Sequence, residues 1–311
     1  MSKVIIGIDK SKSYRVYLTI TTDMVEKARE VHETTPLASA TLGRVLTAAG
    51  MMGLMLKNDR DKVTVIFKGE GPAKQILATA DSSGNVKGYI ANPDVDLPLK
   101  ENGKLDVGEA IGKGELTVIK DIGLKEPYLG KIALVSGEIA EDLTAYFYIS
   151  EQQNSSVALG VMIGTDTRIA ASGGFIIQML PDFDEKAVIA LEEMLKTIPS
   201  VTTMIAEETL KSKGKTEIGI LEGLMERVFS TMPDEYKPET ISNRDINWLC
   251  DCSKARYKRG LMTLNENDLT EMIEEDGGAE VVCQFCKKIY NFDVDELKKI
   301  RSEVAGNDNR K

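Results

Sequence analysis

The sequence predicts an α+β protein with a strand-rich N-terminal domain around one long buried helix, a helical middle segment packed on it, and a small C-terminal metal module. Three observations carry this prediction. Apolar and polar residues alternate with period two in many short runs over the first 180 residues, the mark of half-buried strands. Near Pro181 the apolar spacing changes to three and four, the mark of helices with one apolar stripe. All four cysteines of the 311-residue chain lie near its C-terminal end, as Cys250-Asp251-Cys252 and Cys283-Gln284-Phe285-Cys286. Strands that do not alternate regularly with helices favour α+β.

A first strand is expected at 4–8, ending where Asp9 breaks the apolar run. In the next, Tyr14, Val16, Leu18 and Ile20 alternate with Arg15, Tyr17 and Thr19. Leu37 to Leu56 has the length of a membrane span. Arg44, three hydroxyl residues and three glycines interrupt it, and Pro36 suits a first helical turn, so it reads as the buried helix of a soluble core. Val63, Val65 and Phe67 alternate with Thr64, Ile66 and Lys68, and Ala145, Phe147 and Ile149 with Tyr146, Tyr148 and Ser150; both read as strands. Further strands are expected at 86–91, 115–120, 131–136, 157–163 and 174–180, separated by turns such as Asp81-Ser82-Ser83-Gly84-Asn85.

A helix after Asp182 carries Val188, Leu191, Leu195 and Ile198 and is stopped by Pro199. Met204, Ile205 and Leu210, then Ile218, Leu221, Met225 and Val228, continue the pattern in two shorter helices around a break at 211–215. Met232 to Pro238 reads as a linker. Beyond it, 267–276 is an acidic helix stopped by Gly277-Gly278. Strands at 279–283 and 287–292 flank the second cysteine pair, and Asp293 with Glu296 forms a capping box for a helix to about Glu303, before a frayed tail from Gly306. The expected division is therefore 1–180, 181–235, 236–297 for the metal module, and 298–311 for the helix end and tail.

With 39 basic and 49 acidic residues, a net charge of −10 argues against a nucleic-acid backbone or an anionic membrane as partner. The N-terminal apolar run is too short for a signal peptide, so the expected compartment is the reducing cytosol, where paired cysteines bind metal or do redox work. His32 is the only histidine and reads as a surface or helix-start residue; no triad can be built on it, and no catalytic or organic-cofactor site is expected. The run Ile6-Gly7-Ile8-Asp9 and the segment Gly69-Glu70-Gly71-Pro72 lack the residues of a phosphate loop.

The chemistry concentrates in Cys250, Cys252, Cys283 and Cys286. Two close pairs across a gap of 30 residues supply the four thiolates of a closed tetrahedral zinc site, and one zinc ion per chain is expected. Lys254, Arg256, Lys258, Arg259, Lys287 and Lys288 stand near them in sequence, where cations would favour thiolate. Apolar residues are sparse in the module, so the metal's roughly 10–16 kcal/mol of apparent folding free energy would decide its stability. Loss of the thiolates to an oxidant would unfold it. Two other readings use the same cysteines. A structural zinc ribbon binding nucleic acid or protein meets six basic against eight acidic residues over 250–290, the wrong balance for phosphate. A thiol–disulfide oxidoreductase would place Cys283 at a helix N-terminus after a strand, whereas strands flank it here.

Several motifs together resemble a known family. They are Cys250-Asp251-Cys252-Ser253 with Arg256, Cys283-Gln284-Phe285-Cys286 with Tyr290 and Phe292, the run Gly173 to Pro181, Ser150-Glu151-Gln152, and Leu42-Gly43-Arg44. Over essentially its whole length the chain resembles the redox-regulated heat-shock chaperones known as thirty-three-kilodalton chaperonins. The resemblance implies a cytosolic, ATP-independent holdase of the oxidative-stress response, not an enzyme. It implies that all four cysteines hold zinc in the reduced, poorly active form. It implies zinc loss and disulfides Cys250–Cys252 and Cys283–Cys286 in the oxidised form, with unfolding of the module and the adjoining segment. Unfolding client proteins, a homodimer when oxidised, the thioredoxin and glutaredoxin systems, and ATP-dependent foldases are the partners it implies.

Overall fold

In the strands at the middle of the sheet, period two decides which of two cores a residue enters. A computed structural model describes residues 2–212 and 214–308. The chain divides into two units, Met1–Leu249 and Cys250–Lys311. In the first unit β1 (Ser2–Asp9), β2 (Tyr14–Ile20), β3 (Lys62–Gly69), β4 (Gln75–Asp81), β5 (Asn85–Ile90), β6 (Gly114–Asp121), β7 (Tyr128–Ala133), β8 (Ser155–Ile163), β9 (Ile169–Met179) and β10 (Pro238–Trp248) form one ten-stranded sheet in the order β7-β6-β3-β4-β5-β10-β1-β2-β9-β8. Val4, Tyr17 and Ile176 face a core built around two helices, whereas Ile5, Val16, Leu18, Phe175 and Ile177 face a second core on the opposite side.

The first core belongs to α1 (Thr22–His32) and α2 (Pro36–Leu54). Thr35 caps α2 by accepting the Ala38 amide at 3.2 Å, and Pro36 fills its first turn. The hydroxyls of Thr41 and Thr47 donate to the carbonyls of Leu37 and Gly43, each at 2.8 Å. Arg44 pairs with Glu138 at 2.6 Å. These bonds explain how the helix carries polar groups inward. Among the described residues α2 is the one helix long and apolar enough to cross a membrane, and 89% of that window is buried inside this protein. A Cβ on its Gly53 would lie 2.6 Å from the Asp81 carbonyl, so glycine lets α2 lie against β4.

Two more helices, α3 (Val107–Ile111) and α4 (Ile139–Glu151), complete this side. The strand expected at 145–149 is part of α4. Ile139, Leu143, Tyr146 and Phe147 are its buried apolar residues at helical spacing, and a five-residue aromatic alternation fits either period.

The second core is closed by α5 (Glu185–Thr197), α6 (Val201–Lys211) and α7 (Glu217–Val228), as the apolar stripes require. Lys213, in the expected break, lies outside the described residues. The expected linker is not one. Met232 and Tyr236 are buried in this core, the Tyr14 hydroxyl donates to the Tyr236 carbonyl at 2.6 Å, and the Tyr236 hydroxyl donates to Asp184 at 2.7 Å.

The boundary expected at 236 falls instead between Leu249 and Cys250, because 238–248 is β10. It pairs antiparallel with β1 from Ser2↔Ile246 to Asp9↔Pro238, but with β5 only at Asn247↔Asn85 and Trp248↔Val86. The end of β10 thus joins the two halves of the sheet. His32 also departs from expectation. It is the buried last residue of α1, with Nε2 2.9 Å from the Gly88 carbonyl and its ring edge-on to Trp248 at 5.8 Å.

The second unit contains α8 (Lys254–Leu261), α9 (Glu266–Glu274), the hairpin β11 (Ala279–Val282) and β12 (Ile289–Phe292), and α10 (Val294–Asp308). Its core is Leu261, Leu269, Ile273, Tyr290, Phe292, Leu297 and Ile300. The helix end expected from 298 packs in the module, since Ile300 is buried in that core and Val304 lies against it; the helix runs on to Asp308, and 309–311 lie outside the described residues. The capping box forms as expected: the Glu296 amide donates to Asp293 at 2.8 Å and the Asp293 amide to Glu296 at 3.2 Å.

Candidate metal centre

Two pieces of backbone deliver the four thiols. Cys250 and Cys252 lie in the extended segment before α8, whose N-cap Ser253 accepts the Arg256 amide at 3.3 Å. Cys283 and Cys286 lie in the turn between β11 and β12. There the Cys283 amide donates to the Lys288 carbonyl at 2.9 Å and the Lys287 amide donates back to the Cys283 carbonyl at 2.8 Å. This knuckle aims both sulfurs inward.

All four sulfurs lie within 4.8 Å of one another. Cys250 and Cys283 are 3.7 Å apart, and Cys252 and Cys286 are 3.3 Å apart. A tetrahedral ion with metal–sulfur bonds of about 2.3 Å needs sulfurs about 3.8 Å apart. The arrangement fits such an ion, and the four cysteines are free thiols that could hold it. Every cysteine singled out in the sequence is brought to this one place.

The electrostatics differ from those expected from the neighbouring cations. Lys254 binds Glu296 at 2.6 and 2.7 Å, Lys258 binds Glu303 at 2.8 Å, and Arg256 stands 3.5 Å from Asp251. These cations are engaged by carboxylates. The Cys283 thiol, though burial raises it, is brought down to about 6 by the Tyr257 hydroxyl and the amides of Cys286 and Phe285. Burial pushes Cys250 up, and the Cys252 amide only partly opposes it. Burial likewise raises Cys286 against the Lys288 amide. The Cys283 thiol is thus more readily ionised than those of Cys250 and Cys286. A divalent cation would supply the positive charge that lets these two follow.

Tyr257 was not legible as part of the site. It lies on α8, a helix missed because four basic residues mask a short apolar stripe. Ser253 as N-cap and the spacing of Tyr257 and Leu261 were the available signals.

A family model described as Hsp33 protein matches residues 2–293. The chain is 44% identical over 304 residues to the 33 kDa chaperonin of Alkaliphilus metalliredigens, covering 97% of this chain and 99% of that one. It is 46% identical over 291 residues to that of Clostridioides difficile, covering 93% and 95%. The crystal structure of the 33 kDa chaperonin of Thermotoga maritima superposes with a TM-score of 0.85 at 32% identity, covering 98% of this chain and 99% of that one. A four-thiol module at the end of an α+β chain, matched at this extent and identity, places this protein in the Hsp33 family of 33 kDa chaperonins.

Proposed function

We propose that this chain is a cytoplasmic, ATP-independent holdase switched by oxidation, with Cys250, Cys252, Cys283 and Cys286 holding one zinc ion in the reduced, inactive form. The carrying observation is the gathering of four free thiols in a module whose own core is seven buried residues. Bound zinc would supply the charge and the cross-link that so small a core lacks.

Oxidation changes the sulfurs' bonding. Two thiolates and one hypochlorous acid yield one disulfide, chloride and hydroxide, so two equivalents convert all four cysteines. The pairing matters. Disulfides Cys250–Cys252 and Cys283–Cys286 close tiny loops within each half of the site and leave the halves unconnected. Cross-pairs such as Cys252–Cys286 would close a loop worth about 3–4 kcal/mol and keep the module together. The neighbour pairing that the family resemblance implies is thus the one compatible with release by unfolding. The apolar surface offered to unfolding clients is then the face covered by α5, α6 and α7, whose sheet side carries Ile5, Tyr14, Val16, Leu18, Phe175 and Ile177. Dimerisation when oxidised, reduction by thioredoxin or glutaredoxin systems, and transfer of clients to ATP-dependent foldases complete the proposal.

The test is paired. Reduced, zinc-loaded protein is treated with hypochlorous acid while zinc release and suppression of aggregation of a heat-denatured client are followed together. Both should rise in step. Zinc release without gained protection would leave a structural zinc site, and salt-sensitive RNA binding would favour the ribbon reading instead.

A further inference from the structure

The second core keeps its deeply buried sulfur on one side. Among the described residues its four buried methionines are Met194 on α5, Met204 on α6, Met225 on α7 and Met232 just beyond, none more than 4% exposed. The sheet meets them with Ile5, Tyr14, Val16, Leu18, Phe175 and Ile177, which carry no sulfur. Each covering helix thus contributes one thioether to that core, beside aliphatic residues such as Leu191, Ile205 and Leu224. Met24, Met51 and Met52 are as well buried, none more than 3% exposed, but belong to α1 and α2 in the first core.

A thioether is apolar, flexible and open to two-electron oxidants. Hypochlorous acid transfers its oxygen to the sulfur: the O–Cl bond breaks, an S–O bond forms, and chloride and a proton depart. Methionine loses the two electrons that chlorine gains. The sulfoxide carries a strong acceptor where the thioether carried none, so its return to an apolar core requires a donor there. The hydroxyls of this core are those of Tyr14 and Tyr236, already engaged by the Tyr236 carbonyl and by Asp184. A sulfoxide on α5, α6 or α7 therefore opposes the return of that helix to the sheet.

We propose that Met194, Met204, Met225 and Met232 form a second oxidation site, shielded while the helices cover the sheet and converted to sulfoxides once they lift. The thiols open the cover, and the sulfoxides keep it open after the thiols are reduced again. Closing it needs a methionine sulfoxide reductase as well as a thiol reductant. The site rests on the oxidative uncovering of this face proposed for the chain.

The zinc-loaded full chain is treated with excess hypochlorous acid while zinc release, client protection and the oxygen gained at each methionine are followed, the last by mass spectrometry. Met162 and Met179, packed against the same core but only partly buried, report that oxidant reaches the chain. After zinc release Met194, Met204, Met225 and Met232 should oxidise at least about tenfold faster than Met24, Met51 and Met52. Equal rates in the two cores, or no sulfoxide in the second, overturn the proposal. Dithiothreitol with zinc should then restore the metal without ending client protection, and sulfoxide reductases for both epimers should end it. Protection lost on thiol reduction alone, with the sulfoxides still present, overturns it as well. Met194→Leu, Met204→Leu, Met225→Leu and Met232→Leu together keep an apolar core and remove the site. That variant should protect clients on zinc release yet shut off with dithiothreitol and zinc alone; persistent protection there contradicts the proposal. Should it fail to fold, the sulfoxide map of the unaltered chain decides. Zinc release without client protection overturns the proposed function and this site together, whereas protection without second-core sulfoxides overturns this site alone.

Discussion

Glu26 shows how one side chain can fasten distant pieces of this chain. It receives both arms of Arg29, at 2.8 and 2.9 Å, and the amide of Ile169 at 2.9 Å. The Arg29 bonds, joined by the Ile169 amide and opposed by desolvation, hold its carboxyl down to about 2. The folded value lies below the unfolded one, so the stabilisation is full above the ordinary carboxylate range and is lost as pH falls toward 2. The pair is partly exposed and screened, so Glu26→Gln should cost about 1 kcal/mol at pH 7. Denaturant midpoints of the two proteins should draw together only as pH falls from about 4.5 toward 2; a constant gap over that range would contradict the assignment. At this same scale the sequence was most legible for the cysteines, because each close pair is set by spacing and two such pairs can share one ion. It was silent on the packing of Tyr257 against Tyr290 and on the bond from the Ile169 amide to Glu26, whose partners lie far apart along the chain.

Among the elements, strands with large apolar residues were readable and those without were not. β4 relies on Ile76, Ala78 and Ala80, and small alanines give little strand signal. β10 has Ile246 as its one buried residue, and backbone pairing with β1 holds it in the sheet despite its polar sequence. The turn between β4 and β5 supports the end of that strand. Gly84 has φ of 83°, the Asn247 amide donates to its carbonyl at 2.9 Å, and a Cβ there would lie 1.9 Å from the Asp245 carbonyl. Gly84→Ala should therefore destabilise the first unit by at least about 2 kcal/mol. An unchanged denaturant midpoint would show that the turn can move away from β10 freely.

At the scale of the whole molecule, stability is distributed unequally between the two units. The first has two cores on opposite faces of a ten-stranded sheet. The second has a few buried side chains and four thiols gathered at one place. The division into a strand-rich part, helices packed on it and a cysteine module was legible from periodicity and cysteine placement. The position of the boundary was not, because β10 carries no apolar pattern and the apparent linker is anchored through Tyr236. On the proposed function, thiolate-held metal, more than apolar packing, keeps the second unit folded. Peptide-resolved hydrogen exchange of the zinc-loaded full chain, before and after hypochlorous acid, puts this to the test. Amides of 254–308 should lose protection as zinc leaves, while those of α2 keep theirs. Continued protection of α8, β12 and α10 after complete zinc loss would contradict the claim.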